Sequence, residues 1–252
     1  MAIELSLVIP AYNEAQRLPP FLDSVRRHLQ CHYPGRHQVI VVDDGSRDGL
    51  GEVLEDWRRG WDRLTVIRHG ANQGKGAAVR TGMLAACGQR MLFADADGAT
   101  PIEEELKLSA AIRAGADMAV GSRLVTSAEV VRRRKWSRAM AGRLFAAAAR
   151  GWLGIRVRDT QCGFKMFRHD AGRALFGRSQ ETGYLFDLEV LALAQRLGYR
   201  IVEVPVNWRE VPGGHLSLLG QSGRIVAALW RLRKRLEQHS RCMPTRGTHP
   251  DR

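Results

Sequence analysis

The sequence has 252 residues, 44% hydrophobic and 26% charged, too apolar for a disordered chain and enough for one large domain or one domain with appendages. Its 39 Lys and Arg against 26 Asp and Glu leave a formal net charge of +13, which calls for an anionic partner without choosing among nucleic acid, anionic lipid and a phosphorylated substrate. The cysteines Cys31, Cys87, Cys162 and Cys242 form no C-x-x-C pair and no His cluster has zinc spacing, which argues against a zinc module and reads as reduced thiols of a cytosolic protein.

The sequence opens on a strand-like run, Ile3 to Pro10, without the basic region and long apolar stretch of a signal peptide. Leu5–Pro10 is expected as a buried strand, followed by an amphipathic helix over Pro19–Gln30. Val39–Asp44 is a second strand, with a Gly45-Ser46 turn and a helix through Trp57, and Leu64–His69 a third. A small-residue helix follows over Gly76–Ala86, then strands over Arg90–Asp97 and Asp117–Arg123. Short β-branched runs alternating with helices predict an α/β fold, a mostly parallel sheet covered by helices on both faces. Beyond Arg123, Ser127–Leu153 reads as basic and helical without a strand. Gly163–Arg168 and Arg200–Trp208 read as later strands around a helix over Phe186–Leu197, and Leu218–Gln238 as a basic amphipathic helix. The expected organisation is a catalytic-type domain over 1–210 with a helical insertion at 127–154, a C-terminal helix region at 211–238 and a disordered tail at 239–252. No run reaches about 18 uncharged apolar residues, so no membrane-spanning helix is expected.

In an open parallel sheet, ligands bind beyond the carboxyl ends of the strands. Polar residues gather there: Pro10-Ala11-Tyr12-Asn13-Glu14 after the first strand, Asp43-Asp44-Gly45-Ser46 after the second, Asp95-Ala96-Asp97-Gly98 after the fourth. Any one acid could simply cap the next helix. Three acidic strand ends on one rim would repel, so a cation is expected among them. Asp95 and Asp97 are two apart and share a face of a straight strand, where both could reach one Mg²⁺ or Mn²⁺ whose shell a diphosphate completes. No G-x-G-x-x-G follows the first strand, and Gly74-Lys75-Gly76 lacks the rest of a P-loop.

The segments PAYNE, VVDDGS, NQGKGAAVRTGM, DADGAT, GSR and RDTQCGFK occur in that order between Leu5 and Lys165. Together they resemble the inverting family 2 glycosyltransferases of the GT-A (Rossmann-like) fold, and within them the polyprenyl-phosphate sugar synthases. DADGAT, RDTQCGFK, FDLE and VPVNW follow the dolichyl-phosphate glucosyltransferase branch. The resemblance implies that Pro10, Tyr12, Glu14, Asp43 and Asp44 hold the nucleoside, that Lys75 faces the diphosphate, and that Asp95 and Asp97 bind Mg²⁺ or Mn²⁺. Arg123 would reach a phosphate, and Asp159 matches an acid proposed in relatives to be catalytic. It further implies a nucleotide-sugar donor, UDP-glucose ahead of GDP-mannose, and a polyprenyl or dolichyl phosphate acceptor ahead of a soluble one. A catalytically silent membrane-binding module of the same fold is the non-enzyme alternative.

Two departures stand out. Ala99 occupies a position where many mannose-type relatives carry an amide ligand, leaving Thr100, water or the diphosphate to complete the shell. The N-terminal membrane anchor of the dolichyl branch is not seen, so attachment is expected from elsewhere. Two basic segments rich in Trp and Leu, around Trp136–Trp152 and Leu218–Arg235, have the composition of interfacial helices. They predict a peripheral protein on the cytoplasmic face of a membrane, with no nucleic-acid partner since nothing resembles a base-reading module. His215 and Ser217 are expected to close over the donor.

Overall fold

The computed structural model describes residues 2–125, 132–133 (backbone only), 150–209, 211 and 229–237. Most of the 127–154 insertion, His215, Ser217, most of the Leu218–Gln238 helix and the 239–252 tail lie outside the described residues.

The strands are β1 (Leu5–Ala11), β2 (His37–Asp43), β3 (Leu64–Arg68), β4 (Arg90–Ala94), β5 (Met118–Ser122), β6 (Arg132–Arg133), β7 (Phe164–Arg168), β8 (Ile201–Pro205) and β9 (Trp208–Arg209). Seven form one sheet in the order β3-β2-β1-β4-β7-β5-β8. All pair in parallel except β7, which runs antiparallel to both β4 and β5. Six α-helices lie wholly within the described residues, α1 (Leu18–His32), α2 (Leu50–Arg59), α3 (Lys75–Ala85), α4 (Glu105–Arg113), α5 (His169–Arg178) and α6 (Phe186–Arg196), and residues 150–153 and 229–237 are helical as well.

Period-2 alternation sends successive side chains of β1 to opposite faces. Leu5, Leu7 and Ile9 join Leu22 and Val25 of α1, Leu54 of α2 and Leu108 of α4 in one apolar layer. Val8 points the other way, with Ile40, Val42, Met91 and Phe93, against Val79 and Met83 of α3, Leu175 of α5 and Leu191 of α6. Helices on both faces explain why β1, β2 and β4 read as unbroken apolar runs instead of alternating ones. Pro19 and Pro20 open α1, where a missing N–H costs nothing.

Three expectations change. The Arg90–Asp97 strand ends at Ala94; one further bond in register with β7, from Asp95 N to Gly163 O at 2.9 Å, ties Asp95 to the loop before β7. Asp95 and Asp97 therefore sit on a loop, and strand alternation does not set their mutual orientation. The insertion is not free of strand, since Arg132–Arg133 pairs in parallel with Trp208–Arg209. The single strand expected over Arg200–Trp208 divides into β8 and β9.

The reversed direction of β7 has a direct bearing on the site. The other strands deliver the loops that follow them to the carboxyl rim. β7 delivers the loop that precedes it, so Asp159 through Gly163 reach the same rim from the opposite chain direction.

Candidate functional site

The rim of β1 and β2 is built first by backbone. Asp44 N donates to Ala11 O at 2.9 Å, and Asn13 N donates to Ser46 Oγ at 2.9 Å. Asn13 takes φ 55°, a left-handed conformation that Asn tolerates better than most residues, and its Oδ1 accepts from Arg47 N at 3.0 Å. Pro10 is buried, and Tyr12 stands 39% exposed at the mouth. Glu14 is held by Arg17, whose Nε donates to Glu14 Oε2 at 2.7 Å.

Asp43 and Asp44 lie beneath this rim with their carboxylates turned to the protein. Asp43 Oδ1 accepts from Ser46 N at 2.8 Å, and Oδ2 lies 3.2 Å from Arg68 Nε. Asp44 accepts from Gln73 N at 2.9 Å and Gly74 N at 2.8 Å, and its Oδ1 is 2.7 Å from His69 Nδ1. At 0% and 2% exposure these carboxylates shape the pocket wall and hang the 73–74 turn. An open groove of about 390 Å³ lies above them, lined by Gly45, Ser46, Arg47, Arg68, His69 and Gly70. A larger hollow of about 640 Å³, lined in part by Glu4, Tyr33, Arg90 and Arg113, lies at the opposite, amino-terminal rim. Because the chemistry-bearing side chains occupy the carboxyl rim, the smaller groove is the relevant one.

The turn held by Asp44 delivers Lys75 as the first residue of α3. Gly74 takes φ 102°, and a Cβ there would lie 2.4 Å from Thr182 O, so only glycine fits between α3 and the 179–185 loop. Lys75 Nζ then reaches 2.6 Å from Asp95 Oδ1. Among the described residues no other donor reaches that oxygen. Gly163 walls Asp95 from behind: a Cβ at 163 would lie 2.0 Å from Asp95 Oδ2. Asp97 Oδ1 accepts from Ala99 N at 3.0 Å. Burial first, and then the charge of Asp95, hold the Asp97 carboxyl above its ordinary range.

Beneath the pair, Lys165 of β7 is 1% exposed and Asp187 of α6 3%. Lys165 Nζ donates to Asp187 Oδ1 and to Cys162 O, both at 2.6 Å. Burial pushes the Asp187 carboxyl up despite that lysine. Lys75, Asp95, Lys165 and Asp187 thus alternate in sign under the rim. Neither Lys165 nor Asp187 was singled out from the sequence. Both lie in segments the resemblance quotes, GFK and FDLE, but a buried ion pair has no spacing signature.

On the far side, Arg123 and Asp159 form a two-pronged clasp. Arg123 Nε donates to Asp159 Oδ2 and Nη2 to Oδ1, each at 2.8 Å, and the Arg123 backbone N–H adds a third bond to Oδ2 at 2.8 Å. Asp159 is 4% exposed. Burial alone would raise its pKa, but the hydrogen bonds and charge of Arg123 outweigh burial and hold it low. The Trp208 ring lies 5.5 Å from the Arg123 guanidinium, and Glu203 accepts from the Arg158 and Asp159 N–H groups at 2.9 and 3.0 Å. Burial pushes the neighbouring Cys162 thiol up to about 12, so it is no nucleophile at neutral pH.

The structure therefore gathers Tyr12, Glu14, Lys75, Asp95, Asp97, Arg123 and Asp159 at one rim, with Asp43 and Asp44 beneath. Asp95 and Asp97 are the candidate metal carboxylates. Among the described residues no group of three His, Cys, Asp or Glu could by itself hold a metal ion. Two carboxylates, one strained by its neighbour, fit a hard cation that takes the rest of its shell from phosphate and water. Ala99 is buried and offers no side-chain ligand, and Thr100 is buried beside it.

Comparisons with known proteins bear on the family and the fold. The family model "Glycosyl transferase family 2" matches residues 6–176. The dolichyl-phosphate beta-glucosyltransferase of Drosophila melanogaster is 37% identical over 246 residues, covering 91% of this chain and 75% of that protein. The Homo sapiens protein of the same name is 35% identical over 254 residues, covering 91% and 78%. Among solved structures, the Mycobacterium tuberculosis glucosyl-3-phosphoglycerate synthase with UDP superposes with a TM-score of 0.67 at 22% identity, over 97% of this chain and 82% of that one. A structure of that synthase with Mn²⁺ and UDP-glucose gives 0.65 at 22% identity, over 92% and 79%. At that identity the likeness concerns the fold.

Proposed function

As the chain belongs to glycosyl transferase family 2, we propose that it transfers glucose from UDP-glucose to a polyprenyl or dolichyl phosphate, with inversion at the anomeric carbon. The observation that carries the reading is the pairing, at one rim, of a diphosphate-binding half (Lys75, Asp95, Asp97) with a phosphate-binding half (Arg123, Asp159). The names of the relatives support the donor and acceptor.

Asp95 and Asp97 would hold Mg²⁺ or Mn²⁺, which when bound supplies positive charge to the diphosphate as it leaves. Lys75 binds the same diphosphate from the start of α3. Tyr12 lines the mouth over the nucleoside, and Asp43 and Asp44 fix the turns around it. An oxygen of the acceptor phosphate attacks the anomeric carbon. The bond from that carbon to the nucleoside diphosphate breaks, and UDP departs with the electron pair. A phosphate monoester with its second pKa near about 6 is largely a dianion at neutral pH and needs no base. Asp159, held low and engaged on both oxygens, is poorly suited to take a proton. It fixes the guanidinium of Arg123, whose fork keeps donors for the acceptor phosphate.

A lipid-borne acceptor requires a membrane-facing surface, and two exposed tryptophans supply one. Trp152 is 54% exposed with the Arg233 guanidinium 4.9 Å from its ring; Trp230 is 52% exposed with Lys234 Nζ at 3.9 Å. Cations paired with half-exposed indoles suit peripheral attachment to an anionic membrane surface. No described helix is long and apolar enough to cross a membrane. Changing Trp152 and Trp230 together to Ala is expected to weaken binding to phosphatidylserine-containing vesicles by about fivefold or more, measured by co-sedimentation. Unchanged binding would assign the membrane contact elsewhere.

The reading is tested by incubating the protein with radiolabelled UDP-glucose or GDP-mannose and polyprenyl phosphate in detergent with Mn²⁺. Label from UDP-glucose should enter the lipid extract. Label that stays in the aqueous phase for both donors would refute the lipid acceptor, and label entering only from GDP-mannose would refute the donor.

A further inference from the structure

Lys75 does more in this structure than wait for a diphosphate. Its Nζ lies 2.6 Å from Asp95 Oδ1, on a carboxylate that would hold the metal. Asp95 has little freedom to turn away, because its backbone N–H is bonded to Gly163 O at 2.9 Å and its Oδ2 abuts the Gly163 backbone. Two other acids lie within electrostatic reach of Lys75: Asp187 already holds Lys165 at 2.6 Å, and Asp97 would be engaged by the same metal. A cation approaching Asp95 therefore meets an ammonium on Oδ1, and a displaced Lys75 finds its natural new partner in a phosphate.

The geometry points to Lys75 as a resident counter-ion that is exchanged during loading: it neutralises Asp95 in the empty site, and passes to the nucleotide's diphosphate as Asp95 passes to the metal. The inference rests on the diphosphate and metal reading above and adds a binding order to it. Metal alone binds weakly, because it must displace or oppose Lys75. Nucleotide draws Lys75 off and opens Asp95, so nucleotide and metal load cooperatively through the lysine as well as through their direct contact. A site guarded this way does not collect divalent cations without donor.

The test is binding, not turnover. Mn²⁺ affinity is measured by the loss of the free-ion electron paramagnetic resonance signal, with and without UDP, for the wild type, Lys75→Met, Lys75→Gln and Arg17→Met. Thermal melts check that each variant is folded; Lys75 is partly exposed at a helix start, so neither substitution removes a core contact. Arg17 is the control cation, since it acts on Asp97 electrostatically and is bonded to Glu14. Removing Lys75 is expected to tighten Mn²⁺ binding without nucleotide by about five- to tenfold and to weaken UDP binding, as loss of a partly buried ion-pair competitor predicts. Arg17→Met should change Mn²⁺ binding by less than about twofold, as for a more distant screened charge. Equal or weaker Mn²⁺ binding by both Lys75 variants would overturn the exchange, and so would an equal gain in Arg17→Met, which would reduce the effect to general electrostatics. If the wild type binds neither UDP nor Mn²⁺, the proposed function falls and the exchange with it. If it binds both and the Lys75 variants bind Mn²⁺ no more tightly, only the exchange falls.

Discussion

Asp97→Asn is expected to lower kcat by about 10²- to 10³-fold, the usual cost of losing a group that stabilises charge on a leaving group, while leaving the metal-free protein as stable as the wild type or more so. The two halves of this outcome have separate causes. Asp97 is strained in the empty site, because burial and the charge of Asp95 oppose its ionisation. Asparagine keeps an oxygen for Ala99 N, which Asp97 holds at 3.0 Å, and removes the repulsion. What it loses is the negative charge that draws a hard cation into the site beside Asp95. Steady-state transfer and thermal melts with and without Mn²⁺ and UDP report both. Near-normal turnover would place the metal elsewhere, and a strongly destabilised metal-free protein would mean that Asp97 carries structure instead.

The second large effect concerns the Arg123–Asp159 clasp. Asp159→Ala leaves a guanidinium that is mostly buried, and breaking such a pair costs about 3–5 kcal/mol when fully buried. Arg123 is 23% exposed, so about 2–4 kcal/mol is expected from chemical denaturation. The pair's pH dependence has a definite sign. The folded carboxyl sits below its ordinary value of 3.8, so its contribution is complete above that value and is lost as pH falls through the lower, folded one. In catalysis, Arg123→Lys and Asp159→Asn should each lower kcat by about 10²-fold or more, and the double variant should be little worse, as for two members of one device. If Asp159 is instead the base, Asp159→Asn abolishes the acid limb of the pH–rate profile and Arg123→Lys leaves it intact.

Much of this site was legible because parallel strands end on a common rim, and their following loops carry Asn13, Asp43, Asp95 and their neighbours as short, ordered motifs. The order of those motifs also carried the α/β fold and the family. What the sequence concealed depended on contacts distant along the chain. That Asp43 and Asp44 turn inward follows from Ser46, Arg68, His69 and the 73–74 turn, none of which announces a carboxylate partner. The Lys165–Asp187 pair joins a strand to a helix, and apolar periodicity runs through both without marking the ions. The tie between Asp95 and Gly163, from the loop before β7, joins residues far apart in the chain, so local propensity could not place it. The Arg132–Arg133 pairing with Trp208–Arg209 belongs to a basic stretch whose composition favours helix, and tertiary pairing overrode it.

The antiparallel β7 also governs how the molecule comes together. β4 and β5 do not pair with each other, so the sheet stays in two pieces, β3-β2-β1-β4 and β5-β8, until residues 164–168 enter between them. That step closes a long loop, the kind of contact that slows folding. It brings in three things at once: the wall behind Asp95, the lysine that neutralises Asp187, and the loop that carries Asp159. A chain paused before it has both donor-side carboxylates but no complete site, and it presents the open edge of β4 to other chains. Joining the sheet and completing the candidate site thus depend on the same strand, so a form in which β7 has not docked is expected to lack both.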